Sequence, residues 1–220
     1  MTTPHDHDHD HDHDHAHAHD GEHDDSLHGT SASMASRVGA LIAALEQKGV
    51  LRAEDVDHAA QAFMHGARPE NGARIVARAW NDPAFRERLL EDANAALDEL
   101  AIDMSHWARV KLVAVANTER EHNLVVCTLC SCYPVGLLGP SPGWYKSAEY
   151  RARAVREPRK VLAEFGVSIP DSTAIRVWDS TAELRYLVVP MRPDGSELET
   201  EDDLAKRVTR DALIGAALAR

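Results

Sequence analysis

Apolar residues recur at helical spacing in the first part of the chain, after residue 32. Residues 33–49 and 54–66 each carry one apolar face, and both segments end near a glycine. This spacing predicts two amphipathic helices. The residues of the two faces are Met34, Val38, Leu41, Ile42 and Leu45 in the first helix, and Val56, Ala59, Ala60, Phe63 and Met64 in the second.

Two further helices are predicted before residue 105. A turn over 68–72, which contains Pro, Asn and Gly, precedes a helix over 73–80. Asp82 and Pro83 then suit the N-cap and the first position of another helix. The apolar stripe of that helix is Phe85, Leu89, Leu90, Ala93 and Leu97. We expect residues 33–105 to form a helical arm that embraces a partner chain.

The pattern changes near residue 111, where short apolar runs replace helical spacing. These runs predict strands, and helical patterns lie between and after them. The predicted strands are 111–116, 124–126, 174–178 and 184–190; the predicted helices are 144–156, 159–165 and a last helix capped by Thr200. Polar residues over 117–122 and glycines and prolines over 134–143 predict loops. Because helices come first and strands mix with helices later, we predict the α+β class with a core over 106–220.

The first 30 residues differ in composition from the rest of the chain. They hold ten of the fourteen histidines and nine acidic residues, with no Lys or Arg, so most of the net charge of −12 lies there. His and Asp alternate from His5 to His15. Such a segment cannot bury enough apolar surface to fold, and we predict a disordered tail over 1–32. It is either a loose chelator of divalent metal that concentrates cobalt or nickel, or a solvated tail with incidental metal affinity.

Composition also excludes several classes of protein. No apolar run reaches the roughly 18 residues that a membrane span requires. The N-terminus lacks the basic start and apolar core of a secretory signal. We expect a cytoplasmic protein that binds neither membrane nor nucleic acid.

All three cysteines, Cys127, Cys130 and Cys132, lie within six residues. We call residues 127–132 the cysteine loop. No other cysteine exists to pair with them, so a disulfide framework is excluded. Clustered thiolates favour zinc, iron or cobalt over calcium or magnesium. Zinc usually takes four protein ligands, and the sequence shows no fourth Cys or His at the spacing of a zinc knuckle.

The spacing of the last two cysteines suggests a different donor set. If the amides of Ser131 and Cys132 lose their protons, two nitrogens and the sulfurs of Cys130 and Cys132 make an approximate square plane. Cys127 can cap this plane, and the sixth position stays open as a catalytic metal requires. Such strong donors favour Co(III) or Fe(III) over zinc, although connectivity alone does not establish the metal.

The segment Val-Cys-Thr-Leu-Cys-Ser-Cys-Tyr-Pro (residues 126–134) closely resembles the metal-binding motif of the nitrile hydratase α subunit, and Thr128 resembles the cobalt-type variant. The resemblance extends over about residues 35–216. It includes residues 71–80, 144–147, 176–180, 208–211 and 214–215. The family adopts a helical arm followed by a layered α-β-β-α core, and we expect that architecture here.

The resemblance implies an enzyme that converts a nitrile and water to an amide at one Co(III) per chain, with Fe(III) as the alternative metal. Cys127, Cys130, Ser131 and Cys132 would hold the metal, with Cys130 oxidised to a sulfinic acid and Cys132 to a sulfenic acid. The nucleophile is either metal-bound water or the Cys132 sulfenate. The implied partners are a β subunit in a heterodimer or heterotetramer, a small nitrile, and an activator protein that inserts cobalt.

Three further residues match functional positions of the family. Asp179 and Glu183 match an acidic pair that supports the active site, and Tyr133 directly follows the last cysteine. Together with Cys132 and Ser131 they are the catalytic candidates. The alternatives are turn formation for the two acidic residues and core packing for Tyr133.

Two other functions remain open. The γ subunit of thiocyanate hydrolase has the same cysteine motif, and it resembles this chain in a His/Asp-rich N-terminus and in residues 139–145. A metal-storage protein that uses the tail and the cysteine loop together would not be an enzyme. The residues after Pro134 also depart from the nitrile hydratase pattern, because Val135 replaces the usual Trp. This change puts pocket shape and substrate size in question.

Overall fold

The computed structural model of the protein describes residues 31–102, 110–130 and 132–220, without the side chains of residues 31, 32 and 64–66. Within these limits the chain forms two compact units, one ending at Asp55 and one beginning at Val56. Residues 1–30 of the predicted tail, and the boundary predicted at residue 105, lie outside the described residues.

Helices and strands occur broadly where the apolar pattern predicts them. The helices are α1 (Ser31–Gln47), α2 (Ala53–Gly66), α3 (Pro69–Asn81), α4 (Pro83–Glu91), α5 (Ala93–Asp98), α6 (Val135–Leu138), α7 (Gly143–Lys146), α8 (Ala148–Arg156), α9 (Pro158–Glu164), α10 (Glu201–Lys206) and a short 3-10 helix over Ala212–Ile214. The strands are β1 (Lys111–Ala116), β2 (Glu121–Val126), β3 (Ala174–Asp179) and β4 (Leu184–Val189). No described helix is both long enough and apolar enough to cross a membrane.

The apolar face of α1 lies on the surface of its unit. Met34, Val38 and Leu41 are 52%, 48% and 59% exposed. In α2 the predicted inward side chain of Phe63 is likewise exposed. Both helices form as predicted, but within its own unit the apolar face of α1 is not buried. Contiguous exposed apolar residues are typical of surfaces that bind a partner.

The turn predicted over 68–72 is wrong, because α3 already begins at Pro69. Proline suits the first position of a helix, where its missing N–H costs no hydrogen bond. Gly72 lies inside the helix, at a point where neighbouring residues leave no room for a side chain. A Cβ there would lie 2.6 Å from Leu213 Cδ1 and 3.0 Å from the Leu137 carbonyl oxygen. The glycine therefore permits close packing and does not mark a turn.

Two aspartates divide the next predicted helix. The Asp82 side chain accepts a hydrogen bond from the Phe85 N–H and caps α4, as predicted. The Asp92 side chain accepts one from the Ala95 N–H and caps α5. The single apolar stripe from Phe85 to Leu97 is thus spread over two helices, and both ends of it are buried.

Two parallel strand pairs form the centre of the second unit. β1 pairs with β4, and β2 pairs with β3. Helices α4 and α5 pack on β1, helices α8 and α9 pack on β2 and β3, and β2 meets β4 between the layers. β2 is buried along nearly its whole length, as is usual for strands of parallel sheets. This arrangement agrees with the predicted α+β class and its layered α-β-β-α core.

Strand β2 begins three residues earlier than predicted, at Glu121, because its polar residues are buried in a hydrogen-bonded network. His122 Nε2 donates to the Gly215 carbonyl oxygen at 2.8 Å, and Asn117 Nδ2 donates to His122 Nδ1 at 3.2 Å. Asn117 Oδ1 accepts from the Asn123 N–H, and Trp178 Nε1 donates to Asn123 Oδ1. Each buried polar group thus has a partner, which makes its burial tolerable.

The helix predicted over 144–156 is interrupted at Ser147. The Ser147 hydroxyl oxygen accepts a hydrogen bond from the Tyr150 N–H and caps α8, which leaves α7 as a separate short helix. Residues 135–138 form α6 inside the segment predicted as a loop. Thr200 caps α10 as predicted, but that helix ends at Lys206.

Candidate metal centre

The cysteine loop leaves the buried strand β2 at its carboxyl end. Val126 is the register partner of Asp179, the last residue of β3, and the Ser180 N–H donates to the Val126 carbonyl oxygen at 2.8 Å. Parallel strands present their carboxyl ends at the same edge of a sheet. Cys127 and Asp179 therefore emerge side by side, although they are far apart in sequence.

The three cysteine sulfurs converge on one point. Cys127 Sγ lies 3.5 Å from Cys130 Sγ, and Cys130 Sγ lies 3.3 Å from Cys132 Sγ. All three sulfurs lie within 4.8 Å of one another. Cys127 is buried, Cys132 is half-buried and Cys130 is exposed. Ser131 lies outside the described residues, so its predicted backbone and hydroxyl contacts stay predictions.

These sulfur separations fit one metal ion bound by the three cysteines together. At a metal–sulfur distance of about 2.3 Å, two ligands of one ion lie about 3.3 Å apart at 90° and about 3.8 Å apart at a tetrahedral angle. The separations of 3.5 and 3.3 Å lie within this range. In addition, the Cys130 N–H points at Cys127 Sγ at 3.3 Å and tightens the loop. The three cysteines can therefore ligate one ion.

The Cys132 thiol is a weak acid in the chain without metal. Burial, and then its hydrogen bond to Cys130, raise the pKa of Cys132 to about 12, while the nearby Arg185 lowers it. This thiol therefore keeps its proton at neutral pH until a metal displaces it. Metal binding must release protons here, so the affinity for metal should rise with pH.

Two side chains hold the start of the cysteine loop through Thr128. Asp179 Oδ1 accepts the Thr128 N–H at 2.9 Å, and Asp179 Oδ2 accepts the Thr128 hydroxyl at 2.5 Å. Arg151 on α8 donates to the Thr128 carbonyl oxygen at 3.3 Å. The polar groups of Thr128 are thus bonded from two different elements.

The side chains of the other two predicted positions, Tyr133 and Glu183, form no hydrogen bond to the described residues of the cysteine loop. Tyr133 is buried; Arg185 Nε donates to its carbonyl oxygen at 3.3 Å, and its hydroxyl has no hydrogen-bond partner among the described residues. Burial raises the pKa of Tyr133. The Glu183 carboxylate accepts the hydroxyl of Thr181 at 3.2 Å, within its own turn. Asp179 is therefore the member of the predicted acidic pair that bonds to the cysteine loop.

Sequence reasoning missed three residues that reach this region. Tyr145 donates to the Cys132 carbonyl oxygen at 2.9 Å, Arg151 donates to that of Thr128, and Arg185 donates to that of Tyr133, directly after the loop. Residues 144–147 were part of the family resemblance, and Arg151 was one of several arginines on a predicted helix. Neither signal distinguished a contact with the loop from packing or a solvated surface.

The neighbouring Arg153 is engaged elsewhere. It forms ion pairs with Glu149, Glu157 and Glu164 and ties α8 to α9. Two arginines two positions apart on one helix thus do different things, and only the folded chain distinguishes them.

A family model described as "Nitrile hydratase, alpha chain" matches residues 32–217. Among curated proteins, the chain is 49% identical over 189 residues to the low-molecular-weight cobalt-containing nitrile hydratase subunit alpha of Rhodococcus rhodochrous, covering 86% of this chain and 90% of that protein. It is also 42% identical to the thiocyanate hydrolase subunit gamma of Thiobacillus thioparus, covering 78% of this chain and 74% of that protein.

Solved structures give a similar result. The chain superposes on an Fe-type nitrile hydratase from Comamonas testosteroni Ni1 with a TM-score of 0.80 and 42% sequence identity. The superposition covers 87% of this chain and 92% of the other. The similarity therefore extends over the helices, the sheets and the cysteine loop together.

Proposed function

The chain belongs to the nitrile hydratase α-chain family, and on this premise we propose that it is the metal-binding subunit of a cobalt nitrile hydratase. The reaction adds water across a carbon–nitrogen triple bond and gives an amide. The convergence of the Cys127, Cys130 and Cys132 sulfurs on one point is the observation that supports it most directly.

We propose that these sulfurs and the backbone nitrogens of Ser131 and Cys132 hold one Co(III) per chain. When bound, the metal would supply a Lewis acid that polarises the nitrile or activates the attacking oxygen. The cobalt-containing relatives and Thr128 support cobalt, while the similarity to an Fe-type enzyme keeps Fe(III) as the alternative.

The exposure of the cysteines supports the proposed oxidation pattern. Susceptibility to oxidation follows thiolate character and solvent access. Cys130 is exposed and Cys132 half-buried, whereas Cys127 is buried. We propose that Cys130 becomes a sulfinic acid and Cys132 a sulfenic acid, by an external oxidant, and that Cys127 stays a thiolate. The sulfenate oxygen of Cys132, or water, is the nucleophile.

The surrounding residues position the loop in this scheme. Asp179 holds Thr128 through both carboxylate oxygens. Tyr133, the residue after Cys132, is buried, and its ring packs against that of Tyr145 with centroids 5.0 Å apart. We propose that Glu183, whose carboxylate accepts the Thr181 hydroxyl, supports the turn between β3 and β4, and that Ser131 has a catalytic role beside the oxidised sulfurs.

The exposed apolar face of α1 is evidence that this protein binds a partner chain. We propose that the arm (33–105) binds a nitrile hydratase β subunit, in a heterodimer or heterotetramer, and that an activator protein inserts the cobalt. The tail (1–32) would bind divalent metal ions, and the core (106–220) would contain the catalytic metal centre. The complex would act in the cytoplasm.

A second candidate is the γ subunit of thiocyanate hydrolase, which converts thiocyanate to carbonyl sulfide and ammonia. The 42% identity to such a subunit favours it, as does the Gly139-to-Tyr145 segment. Against it, the identity to a cobalt nitrile hydratase is higher and covers more of both chains. A metal-storage protein would instead hold several loosely bound divalent ions.

Metal analysis of the complex with its partner tests the proposal. We expect one tightly held cobalt per chain, and three extra oxygen atoms, about 48 Da, on the peptide that contains Cys130 and Cys132. Cys130→Ser and Cys132→Ser should each abolish cobalt retention and turnover. Full activity in either cysteine variant would overturn the proposed site.

A further inference from the structure

Tyr145 joins the aromatic core to the last residue of the cysteine loop. Its side chain is fully buried in α7, and its hydroxyl donates to the Cys132 carbonyl oxygen at 2.9 Å. A buried phenol hydroxyl needs a hydrogen-bond partner, since burying it unsatisfied destabilises the fold. The partner here belongs to a metal-ligating residue, which gives this bond a consequence beyond stability.

The orientation of the Cys132 carbonyl affects the positions of the other two polar groups of this residue. The same residue contributes a sulfur to the cluster and, in the proposed function, a backbone nitrogen as well. Cys132 lies outside any helix or strand, so no ladder of backbone hydrogen bonds fixes its orientation. Fixing the third group of the residue, its carbonyl, restricts how the other two can turn.

We propose that Tyr145 is a positioning residue for the metal centre: its hydroxyl bond to the Cys132 carbonyl holds Cys132 in the orientation in which its sulfur and nitrogen face the metal. The inference rests on the proposed function for its metal. It assigns no contact between Tyr145 and substrate, because the side chain is buried.

The ring of Tyr145 is well placed for this role because its neighbours immobilise it. It meets the ring of Tyr133 edge-on, with centroids 5.0 Å apart, and it lies 6.1 Å from Trp144 and 5.7 Å from Tyr150. Aromatic pairs in such geometries stabilise a structure beyond the effect of their buried area. A hydroxyl on a rigid ring restricts its partner more than one on a mobile side chain.

Tyr150 provides a natural control within the same cluster. It is also buried, and its hydroxyl donates to a backbone carbonyl oxygen, that of Val125, at 2.7 Å. Val125, however, lies inside β2, where pairing with β3 already fixes the backbone. Removing the Tyr150 hydroxyl therefore removes a comparable bond without releasing a ligand residue. Burial raises the pKa of both tyrosines, so both remain neutral donors.

The experiment compares Tyr145→Phe with Tyr150→Phe in the complex with the partner subunit. Cobalt release is followed under excess chelator, together with the thiolate-to-metal absorption bands and the Tm. We expect both variants to lose similar thermal stability. Tyr145→Phe should release cobalt roughly tenfold faster, on the order of one lost hydrogen bond, with shifted bands, whereas Tyr150→Phe should keep the wild-type release rate and spectrum.

A second readout does not depend on cobalt. Hydrogen–deuterium exchange at the backbone amides of Cys130 and Tyr133, which keep their protons when the nitrogens of Ser131 and Cys132 bind the metal, should be faster in Tyr145→Phe and unchanged in Tyr150→Phe. Unchanged exchange and release in Tyr145→Phe, or equal effects in both variants, would overturn the inference. If the wild-type complex held no cobalt, the proposed function would fail, while the exchange comparison would still decide whether Tyr145 holds Cys132.

Discussion

The Asp179 carboxylate binds Thr128 through both of its oxygens: one accepts the backbone N–H at 2.9 Å and the other accepts the hydroxyl at 2.5 Å. Asp179 ends β3, and Thr128 follows the first cysteine after β2. The bond pair therefore ties the metal-binding loop to the neighbouring strand. A carboxylate suits this place because it only accepts hydrogen bonds, and Thr128 offers two donors.

Replacing Asp179 with Asn should loosen the loop. One of the two oxygens becomes an NH₂ donor, to which the Thr128 hydroxyl can act as acceptor, but both hydrogen bonds lose the carboxylate charge that strengthens them. We expect the two hydrogen bonds between residue 179 and Thr128 to weaken by about 1–2 kcal/mol in total. Cobalt release in the presence of a chelator should therefore be about 5- to 30-fold faster. Asp171→Asn is the control, because it makes the same chemical change at an exposed aspartate outside the metal centre. Wild-type cobalt retention in Asp179→Asn would contradict this role.

The buried His122 should make the fold sensitive to mild acid. Its Nε2–H donates to the Gly215 carbonyl oxygen, so Nδ1 is the unprotonated acceptor of the Asn117 amide. Burial lowers the pKa of His122, against a smaller raising effect of the Gly215 bond. Below the ordinary histidine pKa of about 6.5, the unfolded chain binds a proton that the folded chain does not. The free energy of unfolding should therefore fall as pH decreases from about 6.5 towards 5.

Denaturant unfolding at several pH values checks this expectation. His122→Gln should lose the part of the pH dependence that lies in this window, although it will be less stable at pH 7.5. The exposed His58 supplies the matched substitution, His58→Gln, which should leave the wild-type slope intact. An unchanged slope in His122→Gln would show that other groups cause the dependence.

Gly215 should be irreplaceable for a steric reason. Its φ is +78°, and a Cβ would lie 1.8 Å from the Asn123 carbonyl oxygen in β2. Gly215→Ala should cost more than about 4 kcal/mol or prevent folding. Gly166 has a similar φ of +76° but open space around it, so Gly166→Ala should cost only about 1–2 kcal/mol. Thermal melts of the two variants separate the clash from backbone strain, and equal losses would refute the clash.

The apolar face of α1 should be needed for assembly rather than for folding. Val38 and Leu41 are 48% and 59% exposed, so the double change to Lys should leave the Tm of the isolated chain nearly unchanged. Co-purification with the β subunit should fall strongly. Leu198→Lys is the control, because this fully exposed leucine lies in a loop of the other unit. Normal assembly of the double variant would exclude this face from the interface.

The candidate site was predictable mainly where it is local in sequence. Three cysteines within six residues indicate a metal site without knowledge of the fold. Contacts such as Tyr145 to Cys132 and Arg151 to Thr128 depend on how α7 and α8 return to the end of β2. Arg151 and Arg153 look alike in the sequence, yet only Arg151 reaches the cysteine loop.

The errors in the fold prediction have a similar origin. Pro69 and Gly72 were interpreted as turn residues, but both are compatible with the helix: Pro69 starts it, and Gly72 allows Leu213 to approach. The loop predicted over 117–122 included His122 because it is polar, and the predicted strand began only after Asn123. Both residues can lie in a buried strand because their side chains form hydrogen bonds there: His122 with Asn117 and Gly215, and Asn123 with Trp178.

The most direct test of the central claim is a turnover assay of the cobalt-loaded complex with its β subunit, with Cys132→Ser as the inactive control. Small aliphatic and aromatic nitriles are compared with thiocyanate under the same conditions. The account predicts amide formation from nitriles with little consumption of thiocyanate. Release of carbonyl sulfide and ammonia from thiocyanate, with no amide from any nitrile, would contradict it.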